Sequence, residues 1–377
     1  MRSIAILVLL MAALPAHTAE QAADWKPAAP GYAWRFPADL SSHPDYKTEW
    51  WYITGHLGEV DDPDAKILAF QLTFFRIGLS PGHAAAGSSA WSPTDLVMAH
   101  AAVGDPATGQ HHFSEVIRRA TPFLGGFGAP GDTTLAWVRA PAGTDADWAL
   151  QHRDGSYILS VRDDRRDLHY ELVCTPTRPR VFHGEGGFSP KTEAGDSGSL
   201  YFSRTRMATR GTVLRAGRQV AVTGSAWLDR EVFTSTLGGD QVGWDWAALN
   251  FDDGTDLMLY RLRDADGRED FALGTRVHPD NTTEPMTSDK WQMEPLDHWE
   301  SPRTGSRYPV SWKMTVTGRE EPLYLEATFP EQENVSELTG IHYWEGAVTI
   351  RVSDNGPIIG RGFIELTGYG EGSRPPV

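Results

Sequence analysis

Hydrophobic and polar residues alternate through most of the chain with the two-residue period of half-buried strands, and almost no segment shows helical periodicity. Alternating runs bounded by turn residues recur at residues 66–77 (KILAFQLTFFRI), 95–105 (DLVMAHAAVGD), 157–163 (YILSVRD), 168–174 (LHYELVC), 219–229 (QVAVTGSAWLD) and 323–329 (LYLEATF). Three hairpins are predicted, turning at Asp253-Gly254, Asp266-Gly267 and Asn355-Gly356, the Asx-Gly pairs that tight turns favour. Many short strands joined this way predict an all-β protein built from sandwiches or barrels. A two-residue turn at Asp253-Gly254 pairs Asp252 with Thr255 and sets Trp246 opposite Arg261, a structural cation–π contact worth about 1 kcal/mol. It also puts Asp245 on the face of Tyr260 and Leu262. Residues 184–199, GEGGFSPKTEAGDSGS, form the most loop-like stretch, either a linker or a long loop over a binding site.

Residues 48–57, TEWWYITGHL, sharpen the pattern. Glu49, Trp51, Ile53 and Leu57 fall on one strand face, and Thr48, Trp50, Tyr52, Thr54 and His56 on the other. Glu49 therefore shares an apolar face, where a carboxylate either finds hydrogen-bond donors or takes up a proton. The expectation is a structural anchor rather than a tuned acid, because buried polar groups are usually satisfied by hydrogen bonds.

Further acids stand beside aromatic residues. In AWLDREVF (226–233), Trp227, Asp229 and Glu231 share a strand face; in QVGWDWAALNF (241–251), Asp245 is flanked by Trp244 and Trp246; in IHYWEGAV (341–348), Glu345 follows Tyr343 and Trp344. Aromatic walls with a few polar groups suit the binding of an apolar ligand. They also suit acid catalysis, in which a carboxyl with a raised pKa protonates an alkene and indole faces stabilise the cation. Fourteen tryptophans in 377 residues are many, and core packing accounts for most of them. GDSGS (195–199) matches the nucleophile loop of trypsin-like proteases without the setting of their histidine, MAHAAVG being a poor substitute. His111, His112, His183 and Glu185 lack zinc-like spacing and read as surface or loop residues. Neither a G-x-S-x-G motif nor a phosphate-cradling glycine loop is present, so the expectation is no metal and no cofactor.

The opening MRSIAILVLLMAALPAHTAEQ has the charge, apolar run and small residues of a secretory signal peptide, assigned to residues 1–19. Its apolar run is too short to span a bilayer, and the mature chain is expected to be periplasmic or secreted, without a transmembrane segment. The single cysteine, Cys174, excludes internal disulfides, so hydrophobic cores alone, two at typical domain sizes, must hold the chain. A formal charge of −16 argues against nucleic acid and anionic membranes as partners.

Residues 36–57, FQLTFFR (70–76), residues 226–263 and YWEGAV (343–348) resemble the AttH-type, lipocalin-like family that includes carotenoid 1,2-hydratases. The resemblance runs from about Phe36 to Tyr369 and implies two lipocalin-like, calycin-type β-barrel or sandwich domains, assigned to residues 20–223 and 224–377. Relatives of this kind include hydratases acting on a terminal carotene double bond, fungal pericyclases, and exported proteins encoded near ABC transporters. In the hydratases an acidic residue follows the tyrosine of the second hairpin strand; here Arg261 follows Tyr260. Residues 203–231 instead resemble the exported branch of predicted secreted hydrolases. The resulting expectation is an exported protein that holds a hydrophobic small molecule or lipid, with an ABC transporter as partner. The alternative is a cofactor-independent hydratase or cyclase with Asp229, Glu231 or Asp245 as the acid. The candidate ligand-binding set is Glu49, Trp50, Trp51, Tyr52, His100, Trp227, Trp244, Trp246, Tyr260, Tyr343, Trp344 and Glu345.

Overall fold

A computed structural model describes residues 24–60, 68–81, 92–235, 237–370 and 373–375. The expected signal peptide, residues 1–19, lies outside the described residues. The predicted alternation resolves into strands almost throughout. The first thirteen are β1 (Thr48–Glu59), β2 (Leu68–Gly78), β3 (Asp95–Asp105), β4 (Gln110–Arg119), β5 (Gly125–Phe127), β6 (Thr134–Arg139), β7 (Asp147–Arg153), β8 (Ser156–Asp163), β9 (Leu168–Pro176), β10 (Val181–Phe182), β11 (Phe188–Pro190), β12 (Gly198–Arg215) and β13 (Arg218–Phe233). They form one sheet in the order β4-β3-β2-β1-β13-β12-β9-β8-β7-β6-β5, with β10 and β11 paired to β12. The sheet curls until β3 and β4 pack against β5 and β6 from its far end.

The remaining strands are β14 (Gln241–Phe251), β15 (Asp256–Asp264), β16 (Glu269–Val277), β17 (Thr283–Pro285), β18 (Trp291–Glu300), β19 (Arg307–Val316), β20 (Leu323–Ala327), β21 (Glu333–Val335), β22 (His342–Arg351) and β23 (Ile358–Leu366). They form a second curled sheet, ordered β17-β16-β15-β14-β23-β22-β20-β19-β18 with β21 on β22. The protein is thus all-β with two barrel-like, lipocalin-type sheets. The chain passes between them in the segment joining Phe233 to Gln241. That lies beyond the division expected at 223/224, which falls inside β13. The long β13 hides the change of sheet, because its alternation continues unbroken through residue 223.

Each curled sheet encloses its own core. Trp51, Ile53 and Leu57 of β1 join Phe70, Leu72 and Phe74 of β2 in the first, and Ala247, Leu249 and Phe251 of β14 join Trp312, Trp344 and Ile350 in the second. The opposite faces of the same strands are also apolar. Tyr52, Tyr201 and Trp227 pack there against Trp246, Met258 and Tyr260 of the other sheet. The central strands are therefore buried on both faces, and a third hydrophobic layer joins the two sheets.

All three predicted hairpins form, joining β14 to β15, β15 to β16 and β22 to β23. The register of the first differs from expectation. Phe251 N–H bonds Thr255 O at 2.9 Å, Gly254 N–H bonds Phe251 O at 3.1 Å, and Gly254 takes φ +90°. This is a three-residue loop, a type I turn followed by a left-handed glycine, rather than a two-residue turn. The extra residue moves the pairing by one and flips the faces. Trp246 lies opposite Tyr260, Asp245 lies opposite Arg261, and Asp245 does not share a face with Tyr260.

Candidate functional site

A cavity of ≈ 290 Å³ lies between the two sheets, lined by residues of both. Register explains which side chains reach it. Thr73 pairs with His100 and with Tyr52, and Tyr52 pairs with Asp229, so these four stand in one row across β3, β2, β1 and β13. The next row brings Met98, Phe75, Trp50 and Glu231 to the same face. From the other sheet come Trp244 and Trp246 of β14, Tyr260 and Leu262 of β15, Tyr343 of β22 and Glu365 of β23. The indoles of Trp50 and Trp244 stack at 6.4 Å, and Trp246 meets Tyr52 edge to face at 5.1 Å.

One end of the cavity is a cluster of carboxyls. Asp229 accepts hydrogen bonds from Tyr201 OH at 2.7 Å, from Trp227 Nε1 at 2.6 Å and from Ser203 Oγ. Ser203 in turn contacts His183 Nε2 at 2.6 Å, and His183 Nδ1 lies 2.9 Å from Thr275 of the second sheet. Burial pushes the Asp229 carboxyl up to about 7, with the charge of Glu231 adding to it, against the three hydrogen bonds. Glu365 is likewise raised by burial to about 7, although Trp244 Nε1 donates to it at 2.8 Å. Glu345 accepts from Tyr52 OH at 2.5 Å, and burial, followed by the charge of Glu365, holds it well above the usual carboxylate range. Burial thus holds all three acids above the usual carboxylate range.

Among the described residues the cluster contains one cation. Lys191 Nζ lies 3.0 Å from Glu231 and 4.0 Å from the centre of the Tyr260 ring. Burial works to lower its pKa, but the charge of Glu231 and contact with Tyr260 raise it overall, so Lys191 stays charged and Glu231 is its counter-ion. Ser199 Oγ also donates to Glu231, which absorbs the last serine of GDSGS into the site as a hydrogen-bond donor. Within the loop-like stretch 184–199, residues 188–190 form β11 and 198–199 begin β12, and Lys191 between them lines the cavity.

Of the sequence candidates, Trp50, Tyr52, His100, Asp229, Glu231, Trp244, Trp246, Tyr260 and Tyr343 line the cavity. Trp227 and Glu345 stand directly behind this wall, bonded to Asp229 and Tyr52. The others face elsewhere. Glu49 and Trp51 project from the opposite face of β1, where Glu49 is held by His43, Arg76 and Arg230. Trp344 belongs to the second barrel core, its Nε1 donating to Pro330 O at 2.8 Å. Asp245 is paired with Arg261 at 2.7 Å and Arg263 at 2.9 Å, and accepts from Tyr369 OH at 2.9 Å. The cation–π contact expected between Arg261 and Trp246 is replaced by this ion pair, a direct result of the shifted register. His183 sits in the loop between β10 and β11, as expected, but is buried between the sheets rather than at the surface.

Lys191, Tyr201 and Glu365 were not anticipated. Glu365 carried a signal, an acid in the alternating run FIEL directly after the third Asx-Gly turn, whereas Lys191 is an ordinary loop residue by sequence. Among the described residues no group of three or more His, Cys, Asp or Glu side chains is arranged to hold a metal ion.

Residues 27–369 match the AttH-like family. No curated protein matches the sequence. Among solved structures, the chain is similar to an AttH-type protein of Nitrosomonas europaea, with 33% identity, a TM-score of 0.77, and coverage of 91% of this chain and 99% of that one. It also shares its fold with kievitone hydratase from Nectria haematococca, at 15% identity and a TM-score of 0.63 over 91% of this chain and 97% of that one. A third match is CghA in complex with Sch210972, at 10% identity and a TM-score of 0.53 over 86% and 89% of the two chains. The family match runs over every strand of both sheets, and on that ground the chain belongs to the AttH-like family.

Proposed function

We propose that this protein binds an apolar or amphipathic small molecule in the cavity between its two sheets. The observation that carries this reading is the contrast between filled and unfilled space. Both barrel interiors are packed with their own side chains, while the inter-sheet face keeps a cavity of ≈ 290 Å³. Trp50, Phe75, Met98, Trp244 and Leu262 supply apolar walls, and the acids with Lys191 supply a polar end, the division of labour expected of a small-molecule site. Export, read from residues 1–19, puts this site in the periplasm or outside the cell, where hand-over to an ABC transporter is a natural use for it.

A second reading, cofactor-independent acid catalysis of the hydratase or cyclase kind, is favoured by one observation. Asp229 stands in the cavity wall with its carboxyl near 7, the condition for a general acid at neutral pH. Of the three acids the sequence offered, Glu231 is committed to Lys191 and Asp245 faces away, which leaves Asp229, with Glu365 beside it in the same wall and raised alike. Native mass spectrometry of protein purified from its own host tests the binding proposal. The expected spectrum contains a non-covalent adduct with the mass of an apolar compound; an apo-protein that also fails to take up any apolar fluorophore would overturn it.

A further inference from the structure

Across the cavity from Asp229 stands His100, and a chain of hydrogen bonds orients its ring. His111 Nε2 lies 2.7 Å from Asn334 Oδ1. Asn334 Nδ2 donates to Gln71 Oε1 at 2.9 Å, Gln71 Nε2 donates to Tyr343 OH at 3.3 Å, and Tyr343 OH lies 2.8 Å from His100 Nδ1. The two amides give the chain a direction. Tyr343 accepts from Gln71, so its own hydroxyl proton is free to donate, and His100 Nδ1 is the partner within reach. An Nδ1 that accepts leaves the proton of the neutral imidazole on Nε2. Burial lowers the His100 pKa to about 4, which keeps the ring neutral.

Among the described residues Nε2 has no partner, although His100 is only 4% exposed, and the residue lines the cavity. The ring is clamped by stacking on Tyr343 at 5.8 Å and by edge contacts with Phe75 at 5.3 Å and Phe113 at 5.4 Å. A buried N–H donor without an acceptor is costly, and a bound molecule is able to supply one. Asp229 stands three strands away along the same row, about 14 Å at the usual strand spacing. The acceptor is therefore placed at the end of the molecule remote from Asp229.

We infer that the ligand is an apolar carbonyl compound, a ketone, aldehyde or ester whose oxygen accepts from His100 Nε2–H, and that Tyr343 and Gln71 are positioning residues that set this polarity. The inference rests on the binding reading above and adds a substrate class to it. A hydrocarbon of the same shape fills the same walls and leaves the donor unpaired.

The test is a cycle with 2-undecanone and its isostere 2-methyl-1-undecene, each displacing N-phenyl-1-naphthylamine from wild type and from His100→Phe. The expected result is that the substitution weakens the ketone about 3- to 10-fold more than the alkene, the range for one net hydrogen bond. Equal weakening of both overturns this inference and leaves the binding proposal standing, whereas failure of wild type to bind either compound or the fluorophore overturns both. The tautomer provides a second measurement that needs no ligand, and its wild-type spectrum needs no variant. In ¹⁵N spectra of the 13 histidines, His100 is expected as the Nε2–H form and Tyr343→Phe is expected to erode that preference; an Nδ1–H tautomer in the wild type overturns the assignment.

Discussion

Replacing Glu49 by glutamine tests whether the acid behind the aromatic run is an anchor. The carboxylate is fully buried together with two guanidiniums, Arg76 and Arg230. Oε1 accepts from His43 N–H at 2.8 Å and from Arg76 Nη1 at 3.3 Å, and Oε2 contacts His43 Nδ1 at 3.1 Å and accepts from Arg230 Nη2. Burial works to raise the Glu49 pKa, but the charge of Arg230, with His43 and Arg76, outweighs it and holds the group far below its ordinary value of 4.5. Glu49→Gln keeps one acceptor oxygen and turns an N–H₂ toward Arg230. Arg76 keeps Asp95 at 2.8 Å, whereas Arg230, lying 3.8 Å from the centre of the Trp51 ring, is left with backbone carbonyls as its acceptors. The expected loss is about 3–5 kcal/mol, the cost of removing one partner from a buried pair. Urea unfolding followed by tryptophan emission measures it. Glu49 has a depressed folded pKa, so its contribution is present above about pH 4.5 and is lost as the pH falls below that value toward the folded pKa. The gap between wild type and variant is therefore expected to shrink on acidification. The double variant Glu49→Leu/Arg230→Met is expected to recover most of the loss, because an apolar pair of similar volume is often neutral. An unchanged unfolding midpoint for Glu49→Gln refutes the reasoning.

Three other outcomes follow from the geometry. Asp229→Asn removes a group whose folded pKa, near 7, lies above its ordinary 3.8; wild-type stability relative to the variant is expected to decline by up to about 4 kcal/mol as pH rises from 4 to 7, and a flat difference between the two melting curves over that range contradicts it. Asp245→Asn, which breaks the pairs with Arg261 and Arg263, is expected to lower stability by about 3 kcal/mol or more while binding of N-phenyl-1-naphthylamine survives in the folded fraction; loss of binding at full folding would place Asp245 in the site after all. Lys191→Met strands Glu231 beside the other acids, and fluorophore affinity is expected to become more sensitive to pH between 6 and 8 than in wild type; an unchanged pH profile counts against the ion pair.

Strands, hairpins and the face assignment in β1 were legible because a period of two is strong wherever one face must be dry. Alternation does not say which apolar face is a barrel core and which is the inter-sheet layer. Trp50 and Trp51, adjacent and chemically alike, end in different layers for that reason. The sheet boundary was hidden by β13, which alternates smoothly past residue 223. The first hairpin was displaced by one residue because Asp-Gly serves both a two-residue turn and a three-residue loop with a left-handed glycine, and that single step moved Asp245 out of the site and into an ion pair. Lys191 and the partnership of His100 with Tyr343, 243 residues apart, depend on how the two sheets meet. No local pattern encodes that.

The central claim is that the space between the sheets is a binding site, and filling it is the most direct test. Leu262 is 3% exposed and lines the cavity without belonging to either barrel core. Leu262→Trp is expected to fold with both cores intact and to abolish saturable, one-to-one binding of N-phenyl-1-naphthylamine, read through energy transfer from Trp50, Trp244 and Trp246. Binding of undiminished affinity by the folded variant would contradict the claim.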